Sequence, residues 1–140
     1  MIDWNKIWSK KERQNRRHRD IWAAVSPFIK GRVLDLGCGP CAFWIGRDVD
    51  LTGVDQSEEA LKQARINRPN GTYIKADVLS TGLVSQNYDT IVMLGLLDYF
   101  EDWEPILNEA RRLKKDGGKI VATLLNGYEN HDWTKYPRIT

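Results

Sequence analysis

Cysteine is scarce in this 140-residue chain: Cys38 and Cys41 are the two, three positions apart. That excludes the disulfide framework of a small secreted domain and leaves only a local bond, formed under oxidation, as a use for the pair. Histidine is equally sparse; His18 and His131 are far apart, and no Cys/His spacing matches a zinc site, so no metal is expected. No apolar run approaches the ~20 residues of a membrane span, and the polar N-terminus lacks the apolar core of a signal peptide. The expectation is a soluble, cytoplasmic protein with no membrane partner. Nor is there a strong excess of one charge, the formal net charge being +2.

What is present describes one globular domain. Hydrophobic residues make up 41% of the chain, six of its residues are Trp, and 140 residues suffice to bury about two thirds of the unfolded surface. The small net charge hides an asymmetry. Residues 1–20 carry seven Lys/Arg against three acids, whereas the remainder carries fourteen against sixteen. We divide the domain into a basic, aromatic helical arm (1–29), an α/β core (30–125) and a polar tail (126–140). A helix is expected from Asp3, with Trp4, Ile7 and Trp8 on one face, and a second at Ile21, Trp22 and Val25. Between them, Ser9–Asp20 reads as a charged, solvated face; contact with nucleic acid or another polyanion is the less favoured reading.

The informative stretch is Arg32–Trp44, RVLDLGCGPCAFW. Val33 and Leu34 read as a buried strand, Gly37 and Gly39 as a sharp turn, and Pro40 as the first residue of a short helix with free amide donors at its start. Three chemistries use such a turn. Gly37, Gly39 and Ala42 satisfy the loose dinucleotide pattern, with Asp55 about 20 residues further on. Cys38-Gly39-Pro40-Cys41 is the spacing of a redox pair. The run also resembles motif I of the class I S-adenosylmethionine-dependent methyltransferases. Asp35 separates the first from the third, because a carboxylate at the mouth of the turn repels a pyrophosphate but suits an ammonium and a sulfonium. The redox reading lacks the proline that thioredoxin-like folds place about forty residues past the cysteines; none lies between Pro69 and Pro105.

Further along, Leu51–Val54 reads as a strand ending in Asp55. Ser57 caps a helix that Asn67–Gly71 terminates, and Thr72–Ala76 is a strand followed by Asp77 and Val78. Residues 79–88 read as a loop. Thr90–Leu94 is an apolar strand ended by Gly95. A helix capped by Asp102 then runs through Leu113 to Lys114 and Lys115, stops at Gly117-Gly118, and gives way to a fifth strand, Lys119–Leu125. Strands alternating with helices predict a doubly wound, Rossmann-like, mostly parallel sheet of about five strands.

LLDYFEDWEPILNEARRLKKDGGKIVATLL closely resembles the middle of the small-molecule-type class I methyltransferases, and the likeness covers residues 31–125. It implies a bound S-adenosylmethionine whose methionine end lies against Gly37, Cys38 and Gly39, with its amino group near Asp35 and its ribose on Asp55. The adenine would lie between Gln56 and Leu94-Gly95, with Asp77 and Val78 at its edge. The implied activity is methyl transfer to a small, metabolite-like acceptor; the alternative is a cofactor-binding, non-catalytic module serving as a partner subunit. Asp98 and Tyr99, in the loop after strand four, and His131 are the candidates to touch the acceptor. Two departures stand out. Cys41 replaces the third glycine of the motif, so that a Cys38–Cys41 bond would distort the turn and lower cofactor affinity. The usual C-terminal antiparallel hairpin is also missing, which leaves strand five as an edge for a homodimer, the tail or the N-terminal arm to cover.

Overall fold

The computed structural model describes residues 16–124. The expected helix from Asp3, and Tyr128 and His131 in the tail, lie outside the described residues.

Five strands form one parallel sheet in the order β3-β2-β1-β4-β5. They are β1 (Arg32–Leu36), β2 (Asp50–Asp55), β3 (Thr72–Lys75), β4 (Tyr88–Leu94) and β5 (Lys114–Thr123). Helix α1 occupies described residues 16–25, and α2 (Glu58–Asn67) and α3 (Glu104–Leu113) follow. The doubly wound, Rossmann-like expectation is met, with β1 between β2 and β4.

Alternation along the strands assigns the layers. Leu34 and Leu36 of β1 and Ile91 and Met93 of β4 face α3, where Ile106, Leu107, Ala110 and Leu113 are fully buried at helical spacing. Val33 and Val92 face the other way, against α1, Phe43, Trp44 and the buried Leu61 and Ala64 of α2. Each such Leu or Ile side chain contributes about 1.5–3 kcal/mol on burial. The helix ends follow local chemistry. Ser57 Oγ accepts the Ala60 N–H at 3.1 Å, with Glu58 and Glu59 in the first turn of α2. Asp102 Oδ1 accepts the Glu104 N–H at 3.0 Å at the start of α3, although Trp103 is the residue that flanks the helix.

Three expectations need correction. Pro40 opens no helix: Cys41 is left-handed (φ +57°), and only a 3-10 turn, Ala42–Trp44, stands between β1 and β2. A side chain in that conformation breaks the helical run where a glycine would have been easiest. Lys114 and Lys115 belong to β5, because Lys114 is already extended and pairs with Tyr88. Gly117-Gly118 therefore lies inside β5, in an irregularity where β4 advances from Tyr88 to Thr90 while β5 advances from Lys114 to Lys119. β4 in turn begins at Tyr88, two residues before the sequence suggests.

Candidate functional site

The first turn after β1 is bound into the fold through its backbone. The N–H groups of Gly37 and Cys38 both donate to Val54 O, at 2.8 and 3.0 Å, Gly39 N–H donates to Asp55 Oδ2 at 2.9 Å, and Cys41 N–H donates to Cys38 O at 3.1 Å. The free donors expected here are thus spent inside the molecule. Gly37 has φ +75°, and a Cβ there would stand 2.9 Å from Leu96 Cδ1. Gly39 differs: a Cβ would meet nothing within 4 Å, so open space adjoins its Cα. Asp55, at the end of β2, ties two loops together, since its Oδ1 also accepts the Ser57 N–H at 2.9 Å. Each oxygen keeps a second lone pair.

Asp35 is the electrostatic centre. Only 3% of its surface is exposed, and Oδ2 accepts the indole N–H of the fully buried Trp44 at 2.7 Å. Its Oδ1 is buried without a hydrogen-bond partner. Burial pushes the carboxyl up to about 7, with Trp44 opposing the rise and the charge of Asp55 adding to it. The two cysteines are free and buried. The Cys41 thiol beside it, burial, and the charges of Asp35 and Asp55 push the Cys38 thiol up, so it is a poor thiolate former.

Above the turn is a cleft of about 1090 Å³ lined by residues from four segments. Asp35, Gly37, Cys38 and Phe43 form its floor, Leu94, Gly95, Leu96 and Tyr99 one side, Thr123 and Leu124 the end of β5, and Arg17, His18 and Ile21 of α1 the far wall. An aromatic cluster holds α1 there. The rings of His18 and Trp22 meet Phe43 edge-on at 5.6 and 6.0 Å, and the Arg47 guanidinium lies 4.4 Å from the Trp22 ring centre. A stack of this kind contributes on the order of 1 kcal/mol.

Of the residues singled out from sequence, Asp35, Gly37, Cys38, Leu94, Gly95 and Tyr99 share this cleft. Gly39, Asp55, Gln56, Asp77, Val78 and Asp98 do not line it. Asp55 is half-buried, and Gln56 and Asp77 are exposed on the loops after β2 and β3. Asp77 spends Oδ1 on the Leu79 N–H at 2.9 Å, and Val78 is buried against the core. Sequence reasoning missed Trp44 and the α1 wall. The signal for the wall was Arg17, His18 and Ile21 recurring on one helical face; for Trp44 it was the need of a buried strand acid for a donor.

The residues present fit the cofactor implied by the motif. A buried carboxylate oxygen with no partner, at the floor of a cleft, is an acceptor suited to an ammonium group, and the open space at Gly39 admits a ligand backbone. The sequence model of the family described as "Methyltransferase domain" matches residues 34–122. Malonyl-acyl-carrier-protein O-methyltransferase of Enterobacter lignolyticus is 28% identical over 114 residues, 79% of this chain and 45% of that protein. Trans-aconitate 2-methyltransferase of Azoarcus sp. is 28% identical over 123 residues, 84% and 48% of the two chains. An S-adenosylmethionine-dependent methyltransferase structure from Mesorhizobium loti superposes with a TM-score of 0.64 at 27% identity, covering 74% of this chain and 52% of that one. The chain thus spans about half the length of the curated relatives it matches. With the sheet order, the glycine turn and the match over residues 34–122 in agreement, the chain belongs to the methyltransferase-domain family, whose cofactor is S-adenosylmethionine.

Proposed function

We propose that this chain is the cofactor-binding core of a methyltransferase that transfers the methyl group of S-adenosylmethionine to a small, metabolite-like acceptor, methylated on oxygen. The observation that carries this reading is the unpartnered oxygen of buried Asp35 on the cleft floor. The acceptor class rests on the names of the relatives, two of which act on malonyl-acyl-carrier protein and trans-aconitate. When bound, the cofactor supplies a methyl already activated on a sulfonium. The protein's work is then to bind and orient. Asp35 holds the ammonium end, Gly37, Cys38 and Gly39 flank it, and the spare lone pairs of Asp55 accept the ribose hydroxyls. Gln56, Asp77, Val78, Leu94 and Gly95 surround the adenine. Tyr99, 84% exposed at the cleft rim, and Asp98 beside it face the acceptor side. Holding an acceptor at attack distance supplies about 7–11 kcal/mol of the barrier, and an acceptor oxygen that is already ionised needs no base. We also place the protein in the cytoplasm and read the β5 edge as the pairing surface of a homodimer, on the strength of its outermost position in the described sheet.

Calorimetric titration with S-adenosylmethionine and S-adenosylhomocysteine tests the core of this reading. Micromolar binding is expected, with Asp55→Ala weakening it at least tenfold. A folded sample that binds neither compound removes the assignment, unchanged affinity in Asp55→Ala removes the ribose site, and binding without turnover across an acceptor panel leaves a cofactor-holding module.

A further inference from the structure

The backbone of the glycine turn leaves a charge unanswered. An amino-acid group carries its ammonium and its carboxylate on one carbon, so a ligand seated with its ammonium at Asp35 brings its carboxylate within a few ångströms of the same floor. The amides that a helix start would have offered to that carboxylate are already bonded to Val54 O, Asp55 Oδ2 and Cys38 O. The nearby charges are Asp35 and Asp55, both negative, so an anion entering here needs a cation from elsewhere.

The cation in the cleft is Arg17. It lines the wall on α1, is exposed, and has no carboxylate partner among the described residues. His18 follows it on the same wall, fixed by edge-on contact with Phe43. Arg47 is turned away, its Nε bonded to Phe43 O at 2.8 Å and its guanidinium stacked on Trp22. The aromatic cluster therefore positions α1 over the cleft while leaving the Arg17 guanidinium uncommitted.

We propose that Arg17, with His18 beside it, is a carboxylate-binding site on the wall of the cleft. It complements the ammonium site at Asp35 and makes α1 part of the binding machinery. The carboxylate comes either from the amino-acid end of the cofactor or from an acidic acceptor. The proposal rests on the cofactor reading above.

Titration calorimetry of the full chain separates these possibilities, using S-adenosylhomocysteine, 5′-methylthioadenosine, which lacks the amino-acid group, and trans-aconitate added to S-adenosylhomocysteine-loaded protein. If the cofactor supplies the carboxylate, Arg17→Gln lowers affinity for S-adenosylhomocysteine about 10- to 100-fold, leaves methylthioadenosine unchanged, and Arg17→Lys recovers part of the loss. If the acceptor supplies it, S-adenosylhomocysteine affinity holds and trans-aconitate binding falls by a similar factor. Wild-type protein that binds S-adenosylhomocysteine, together with Arg17→Gln that binds both ligands as well as wild type, overturns the site while leaving the cofactor reading intact. Wild-type protein that binds neither nucleoside overturns the cofactor reading and the site with it. Because Arg17 is exposed and unpaired among the described residues, an unchanged thermal midpoint in Arg17→Gln confirms that folding is not the variable.

Discussion

Asp35 combines a stability cost with a binding role in one side chain. Its folded-state value of about 7 lies above the unfolded value near 3.8, so the free protein is more stable when the carboxyl is protonated, and that advantage is lost as pH rises through 7. Binding has the opposite sign, because an ammonium ligand needs the ionised form. Asp35→Asn is therefore expected to raise the stability of the unliganded protein at pH 8 by about 2 kcal/mol and to leave it nearly unchanged at pH 4. The same variant should lower S-adenosylhomocysteine affinity at least tenfold at pH 8, and wild-type affinity should rise between pH 6 and 8. Thermal denaturation at the two pH values, with calorimetry at pH 8, checks both halves. The carboxylate and its glycines were legible in sequence because a short local motif holds them. Trp44 was not, since its bond to Asp35 depends on how the chain folds between β1 and β2, and no spacing rule encodes that contact.

At the level of elements, α3 is pinned to the loop before β4 by one buried acid. Glu109 accepts from the backbone N–H and the hydroxyl of Thr81 at 2.7 and 2.8 Å, and from Arg112 Nε at 2.6 Å. Arg112 foremost, and Thr81, hold its carboxyl down at about 2, below the usual carboxylate range. This depressed value means that the cluster's contribution is complete above pH 4.5 and is lost as pH falls toward 2. Glu109→Ala should cost about 3 kcal/mol at pH 7, because it strands the donors of Thr81 and Arg112, and urea unfolding should show the gap to wild type closing by pH 2.5. Helices α2 and α3 were readable from sequence, as their caps and apolar spacing are local. The start of β5 was not. The Lys114-Lys115 pair suits a helix C-terminus equally well, and the decision for strand was made by pairing with Tyr88 across the sheet. The missing helix after Pro40 has a similar cause: the left-handed Cys41 and the packing of Phe43 and Trp44 against α1 override a favourable helix start.

For the whole molecule, the sheet order followed from the alternation of strands and helices, whereas the closing role of α1 did not, because a basic stretch with a few aromatics looks the same whether it is solvated or docked. β5 is an outer strand of the described sheet, with Ile120 buried and Ala122 exposed. Pairing of two copies there should give a dimer in sedimentation velocity at about 50 μM, and Ala122→Lys should return it to monomer by placing charge on the edge. A wild-type monomer at that concentration ends the dimer proposal. The contact between Trp44 and Asp35 also has an optical consequence. Its indole N–H rests on a carboxylate whose charge changes near neutral pH and again when an ammonium arrives. The fluorescence of that one indole is thus coupled through space to an electric field set by proton and ligand, and the protein carries, at the floor of its cleft, its own voltmeter.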